Sequence, residues 1–131
     1  MKKYQIRTSL NLPVVPVVVV GPKGALRLQL VFDSGAAHTQ VHIGTLKAVG
    51  FDYRKRQPDI SVKGVTGAPE AGFTTQLSRF SVLGKRYKAR QVGAFDFSEW
   101  VKDGIDGLLG WDLIEKLHFE VDGPKKILRV F

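Results

Sequence analysis

The stretch Leu30-Val31-Phe32-Asp33-Ser34-Gly35-Ala36 ends an apolar run on a carboxylate and follows it at once with a hydroxyl and a glycine. Leu26, Leu28 and Leu30 alternate with Arg27 and Gln29 just before it, which predicts a strand over Ala25 to Phe32 with one buried face. A carboxylate at the end of such a strand is drawn into a half-dry environment. Gly35 permits a tight turn whose amides can approach the carboxylate, and the Ser34 hydroxyl can bond across to a neighbouring chain. Taken alone, the same triplet also describes an Asx-type turn that merely closes a strand. Its surroundings decide between the two.

Upstream, the β-branched run Val14 to Val20 stops at Gly21-Pro22-Lys23-Gly24, a turn by composition, so a hairpin feeds the chain into Asp33. Residues 1–9 read as an arm or edge strand preceding a single domain over 10–131. Downstream, Ile43 to Val49 closed by Gly50 predicts a short helix with a glycine cap. Ile60 to Gly64 and Ala71 to Leu77, joined by Val65-Thr66-Gly67-Ala68-Pro69, predict a second hairpin that is free to project. Phe73, Thr75 and Leu77 share one phase and Phe80 and Val82 the other, which predicts a bulge or bend near Ser78-Arg79. On the strand Arg86 to Val92, Tyr87 and Ala89 should face one way and Lys88 and Arg90 the other, as a basic outer stripe. Asp103-Gly104-Ile105-Asp106-Gly107 then leads into Leu108-Leu109-Gly110 and a two-turn helix over Trp111 to Leu117, with Asp112 near its positive end. His118 to Val121 and Lys126 to Val130 flank Asp122-Gly123-Pro124 as a third hairpin.

A chain of 131 residues with 44% hydrophobic content suits one core, and its 14 glycines with turn residues recurring at short intervals favour a mostly β protein. The absence of cysteine excludes disulfides, thiolate metal sites and a cysteine nucleophile. Leu10 to Val20 is too short, and too interrupted by Asn11, Pro13 and Pro16, to cross a bilayer. It carries no cleavage pattern of a signal peptide, so a cytosolic or cytosol-facing domain is expected. The net charge of +8 is read first as a solvated surface, and nucleic acid is not expected as a partner.

The order of two motifs then narrows the choice. Asp33-Ser34-Gly35-Ala36, followed far downstream by Leu108-Leu109-Gly110 and a short helix, resembles the retropepsin family of aspartic proteases. There an Asp-Thr/Ser-Gly-Ala loop is crossed by a hydrophobic-hydrophobic-glycine strand. The resemblance extends by order of elements from Val14 to Val130, with Gly64-Val65-Thr66-Gly67 at the place of the family's flap. It implies a single-domain closed β-barrel with a flap hairpin and one or two short helices. It also implies an endopeptidase that cleaves peptide or protein substrates without metal or cofactor. One Asp-Ser-Gly per chain implies a homodimer in which paired Asp33 carboxylates share one proton and activate a water. Ser34 stands where many members have Thr and keeps the hydroxyl that bonds across the dyad. The flap would close over an extended substrate, and Leu26, Leu28, Val31 and Leu108 would contribute to side-chain pockets. A second reading keeps the fold without catalysis, as a dimerising or peptide-binding module.

Other constellations are weaker. His38 and His42 are spaced to chelate zinc from one helix face, but no third ligand is placed. Ser34 lacks the flanking glycines of a nucleophile elbow. His118 is read as structural, Asp52, Asp59 and Glu70 as solvated charge, Asp103, Asp106 and Asp122 as turn formers, and Trp100 and Trp111 as core or interface residues.

Overall fold

The computed structural model describes residues 1–64 and 67–131. The strands are β1 (Lys2–Gln5), β2 (Arg7–Ser9), β3 (Leu12–Gly21), β4 (Gly24–Phe32), β5 (Gln40–His42), β6 (Ile60–Val62), β7 (Glu70–Val82), β8 (Lys85–Phe95), β9 (Gly107–Leu109), β10 (Phe119–Asp122) and β11 (Ile127–Val130). Three short helices, α1 (Ile43–Ala48), α2 (Ser98–Val101) and α3 (Trp111–Ile114), complete the described residues.

The first hairpin forms as its alternation predicts: β3 and β4 pair antiparallel from Val14↔Val31 to Gly21↔Gly24. Val17, Val19, Leu28 and Leu30 fall on the inner face and are buried. β3 also pairs with β7 over Val17–Val20. The ring therefore closes as β3, β4, β9, β5, β8, β7 and back to β3, which removes most free edges. β4 and β9 run parallel, as do β5 and β8, while β5 meets β9 antiparallel. Inside the ring, Phe80, Leu30, Leu46, Leu77 and Leu109 are fully buried, each contributing roughly 1.5–3 kcal/mol by leaving water. A smaller cluster of Val14, Val31 and Ile105, with Leu12, Trp100 and Leu108 against it, flanks the end of β4.

Residues 2–5 and the last strand form a separate three-stranded sheet in the order β1-β11-β10. Phe119 of β10 meets Phe32 edge-on at 5.4 Å, so this sheet underlies the residue preceding Asp33. The α1 helix ends as expected, with Gly50 at φ 106 and its amide bonded to the Lys47 carbonyl.

Local expectations differ from the structure at three places. Of the bulge or bend expected in β7, the structure has the bend, with no inserted residue: Leu77↔Arg90 and Arg79↔Lys88 keep one register across it. The turning point is Ala89, held at φ 52, and it rotates Arg90 inward rather than onto the outer stripe with Lys88. The helix after Gly110 stops at Ile114, because Lys116 and Leu117 then bond back to Leu113 and Ile114, three residues away, and the tightened turn feeds β10. The α2 helix has no periodic pattern to announce it; the Asp96 carboxylate seeds it by accepting the Ser98 amide at 2.8 Å and the Ser98 hydroxyl. Those two bonds, hydroxyl first, hold the Asp96 carboxyl below its ordinary range.

Candidate active site

The inner-face alternation of β4 runs out at Phe32 and delivers Asp33 to the mouth of the ring. Its amide bonds to the Leu109 carbonyl at 3.0 Å, extending the parallel ladder in which Val31 faces Leu108 and Phe32 faces Leu109. The chain then turns sharply, the Gly35 amide donating to Asp33 Oδ1 at 2.9 Å and the Ala36 amide to the Asp33 carbonyl at 3.2 Å. A Cβ on Gly35 would lie 3.3 Å from that carboxylate oxygen, which explains the small residue. Asp33 is partly exposed, and Ser34 beside it is exposed.

The segment from Leu108 to Asp112 clamps the loop from beneath. Trp111 and Asp112 donate their amides to the Ala36 and Ala37 carbonyls at 2.7 and 3.2 Å. The Asp112 carboxylate accepts the Thr39 hydroxyl at 2.7 Å and the Thr39 amide at 3.1 Å, and Thr39 Oγ1 accepts the Gly110 amide at 3.1 Å. Arg90, turned inward by the bend at Ala89, reaches Asp112 Oδ2 at 3.3 Å. Contact is so close that a Cβ on Gly110 would come within 2.5 Å of the His38 backbone, and one on Gly107 within 2.0 Å of the Gln40 carbonyl oxygen. Glycine is a steric requirement at both.

Three carboxylates surround this crossing, and two of them are engaged in structure. Asp112 holds Thr39, and Asp106 accepts the Gln29 amide at 3.0 Å while donating its own to the Gln29 carbonyl. Asp33, among the described residues, accepts only the neighbouring Gly35 amide and keeps an oxygen free for a water or a substrate. One carboxylate of this kind per chain cannot act as both base and acid in the same step.

Beside the loop, a cavity of ≈ 300 Å³ opens between His38 and Gln40 on one side and Ile60 and Val62 of the β6–β7 hairpin on the other. The base of that hairpin is pinned by Asp59, which the sequence presents as solvated charge, and by Arg56. The Thr74 amide donates to Asp59 Oδ1 at 2.7 Å, the Asp59 amide to the Gly72 carbonyl at 3.1 Å, and Arg56 to the Thr74 carbonyl at 2.8 Å. Gly64 and Gly67 are exposed, with nothing near the place of an added Cβ. Val65 and Thr66 lie outside the described residues.

The structure therefore brings Asp33, Ser34, Gly35 and Ala36 together with Leu108, Leu109 and Gly110. Of the residues expected to line pockets, Val31 and Leu108 flank Asp33, whereas Leu28 belongs to the main core and Leu26 sits near the turn end of the hairpin, away from Asp33. The strand period separates them: Leu26 and Leu28 share the inner face, and Val31 has the opposite parity. His38 and His42 do not share a helix face, because residues 40–42 form a strand; His42 Nδ1 accepts the Phe97 amide at 3.0 Å. His118 stacks on Phe131 at 4.8 Å. Trp100 packs in the smaller cluster, while Trp111 stays 44% exposed beside the loop. Sequence reasoning missed Thr39, the inward turn of Arg90, the anchoring of the hairpin by Arg56 and Asp59, and the full role of Asp112. An acid two residues beyond Gly110 was the one available signal.

The aspartyl protease family model matches residues 15–113, a span that holds the Asp33 loop, the β6–β7 hairpin and the crossing strand. The chain belongs to the aspartyl protease family. No curated protein matches the sequence. Among solved structures, this aspartyl protease-family chain is similar to a retropepsin-like aspartic protease from Rickettsia conorii, with a TM-score of 0.68 and 20% identity over 100% of this chain and 99% of that one. The fold of this family member is thus retropepsin-like. No helix among the described residues is long and apolar enough to cross a membrane.

Proposed function

We propose that this chain is an aspartic endopeptidase whose active form is a homodimer, with Asp33 of each copy facing a shared water across the two-fold axis. The observation that carries this reading is the exposed turn Asp33-Ser34-Gly35, locked onto Leu109–Asp112, whose carboxylate accepts, among the described residues, only the Gly35 amide. In the dimer the two acids share a proton, because two ionised carboxylates in contact repel. The ionised Asp33 takes a proton from the water as it attacks the scissile carbonyl, and the protonated Asp33 donates to the carbonyl oxygen. Ser34, exposed on each copy, bonds across to hold the loops in register. The hairpin of β6 and β7 covers a substrate bound as an added strand.

Cleavage of casein and of a peptide library by the wild type and by Asp33→Asn tests the proposal. The expected loss is at least about 100-fold, the usual scale for removing a general acid–base group. Equal activity in the two proteins rejects it. A strict monomer at high concentration in the analytical ultracentrifuge would leave each Asp33 without its counterpart and reject the dimeric mechanism.

A further inference from the structure

Away from the Asp33 loop, the outer face of the ring carries a charge pattern that peptide hydrolysis does not use. Residues 12–32 and 71–95, which build β3, β4, β7 and β8 apart from the first residue of β7, contain no Asp or Glu. Cross-strand register places their outward side chains in rows. Arg27, Val18, Ser81 and Arg86 form one row across the four strands, and Ala25, Val20, Arg79 and Lys88 the next. The parity is fixed by burial, since Val17, Val19, Phe80 and Val82 of the two central strands face the core.

The result is a trough. Val18, Val20 and Ser81 make a low floor on β3 and β7, with Arg79 standing at one end of it, Arg27 rising from β4 and Arg86 and Lys88 from β8. At strand spacings near 4.8 Å, the two walls stand roughly 14 Å apart at the backbone. One end deepens into a cavity of ≈ 330 Å³ lined by Pro16, Val18, Ser81, Arg27, Arg86 and Lys2. Arg27, Arg79, Arg86 and Lys88 are exposed, and among the described residues none pairs with a carboxylate. Asp106, next to Gln29 on β4, is bound to the Gln29 amide.

We propose that this trough docks an extended acidic segment of a partner protein. In an extended chain successive side chains project to opposite sides, so consecutive Glu or Asp residues reach both walls at once. Arginine, present on both sides, matches carboxylates with a bidentate fork. The floor suits a peptide backbone and small aliphatic contacts. It offers no aromatic ring on which bases could stack, and none of its outward residues is a large apolar side chain that could enter a bilayer. The inference does not depend on hydrolysis at Asp33.

The test is fluorescence anisotropy of a labelled oligo-glutamate peptide with the full chain, beside its Gln counterpart, a single-stranded oligonucleotide and vesicles containing phosphatidylserine. The glutamate peptide is expected to bind, to be released by high salt, and to bind about tenfold more weakly to Arg27→Glu/Arg86→Glu. Lys47→Glu/Lys55→Glu, the same charge change on exposed residues elsewhere, should leave binding within about twofold. Absence of peptide binding, equal loss in both double variants, or tighter binding of the oligonucleotide or vesicles would overturn the proposal. Should the charge reversal lower the melting temperature, Arg27→Gln/Arg86→Gln reads the same comparison, and unchanged binding there would equally count against the trough.

Discussion

The crossing beneath Asp33 and the β6–β7 hairpin beside it are built from the same ingredients, short strands and glycines, yet they are held in opposite ways. The crossing is saturated: amides of Asp33, Trp111, Asp112, Thr39 and Gly110 all have partners across it, and its glycines touch backbone. The hairpin is tied at its base by Asp59 and Arg56 and by three ladder pairs from Ile60↔Gly72 to Val62↔Glu70, while Gly64 and Gly67 have open space around them. In the proposed dimer, a carboxylate that meets its twin needs a fixed floor, because misplacement by about 1 Å is costly in rate. A covering hairpin needs a fixed base and a tip whose glycines tolerate several backbone conformations.

The sharpest break of this contrast is a methyl group placed on each side of it. Gly107→Ala would push a Cβ to 2.0 Å from the Gln40 carbonyl oxygen at a backbone φ of 150, so urea denaturation should show a loss of about 3 kcal/mol or more. Gly64→Ala meets nothing and should change stability by less than about 0.5 kcal/mol. Similar losses at the two positions would mean that the floor is no more tightly built than the roof.

Next in size is the carboxylate that ties the floor together. Asp112→Ala leaves the Thr39 amide and the Arg90 guanidinium without their partner, in a pair whose side chains are 22% and 19% exposed. Partial exposure screens the pair, so the expected cost is about 2 kcal/mol rather than the larger penalty of a fully buried one. Combined with Thr39→Val in a double-mutant cycle, the two changes should be non-additive by at least about 0.5 kcal/mol. Strict additivity would show that Thr39 and Asp112 do not act as a unit.

Much of this contrast is written locally, and the part that is not depends on distant partners. The β3–β4 hairpin, the Gly50 cap and the turn at Asp33 follow from alternation and turn chemistry within a few residues. The parallel pairings of β9 with β4 and of β5 with β8 join segments far apart in sequence, and no local pattern announces them. Arg90 reads as part of an outer stripe when strand parity is counted straight through Ala89, an alanine at positive φ that composition does not reveal. Asp112 falls near a helix start as its position suggests, but its partner Thr39 cannot be seen without the crossing. Asp59 reads as solvated because a loop carboxylate usually is, and the Thr74 amide it accepts belongs to the next hairpin. The Asp33 loop is therefore legible, and the scaffold that fixes it is not.

The smallest expected effect concerns the loop that leads into the roof. Arg54 donates its side chain and amide to Asp52, which lowers that carboxyl from 3.8 to about 2. Because the folded value lies below the unfolded one, the stabilisation is complete above 3.8 and is lost only as pH falls from there toward about 2. Carbon-13 NMR titration of the Asp52 carboxyl should give a midpoint near 2, and Arg54→Gln should return it toward 3.8. Asp52 is exposed, so its loss should shift the acid-unfolding profile far less than loss of Asp112. A midpoint unmoved by Arg54→Gln would show that Arg54 is not what holds the Asp52 carboxyl down.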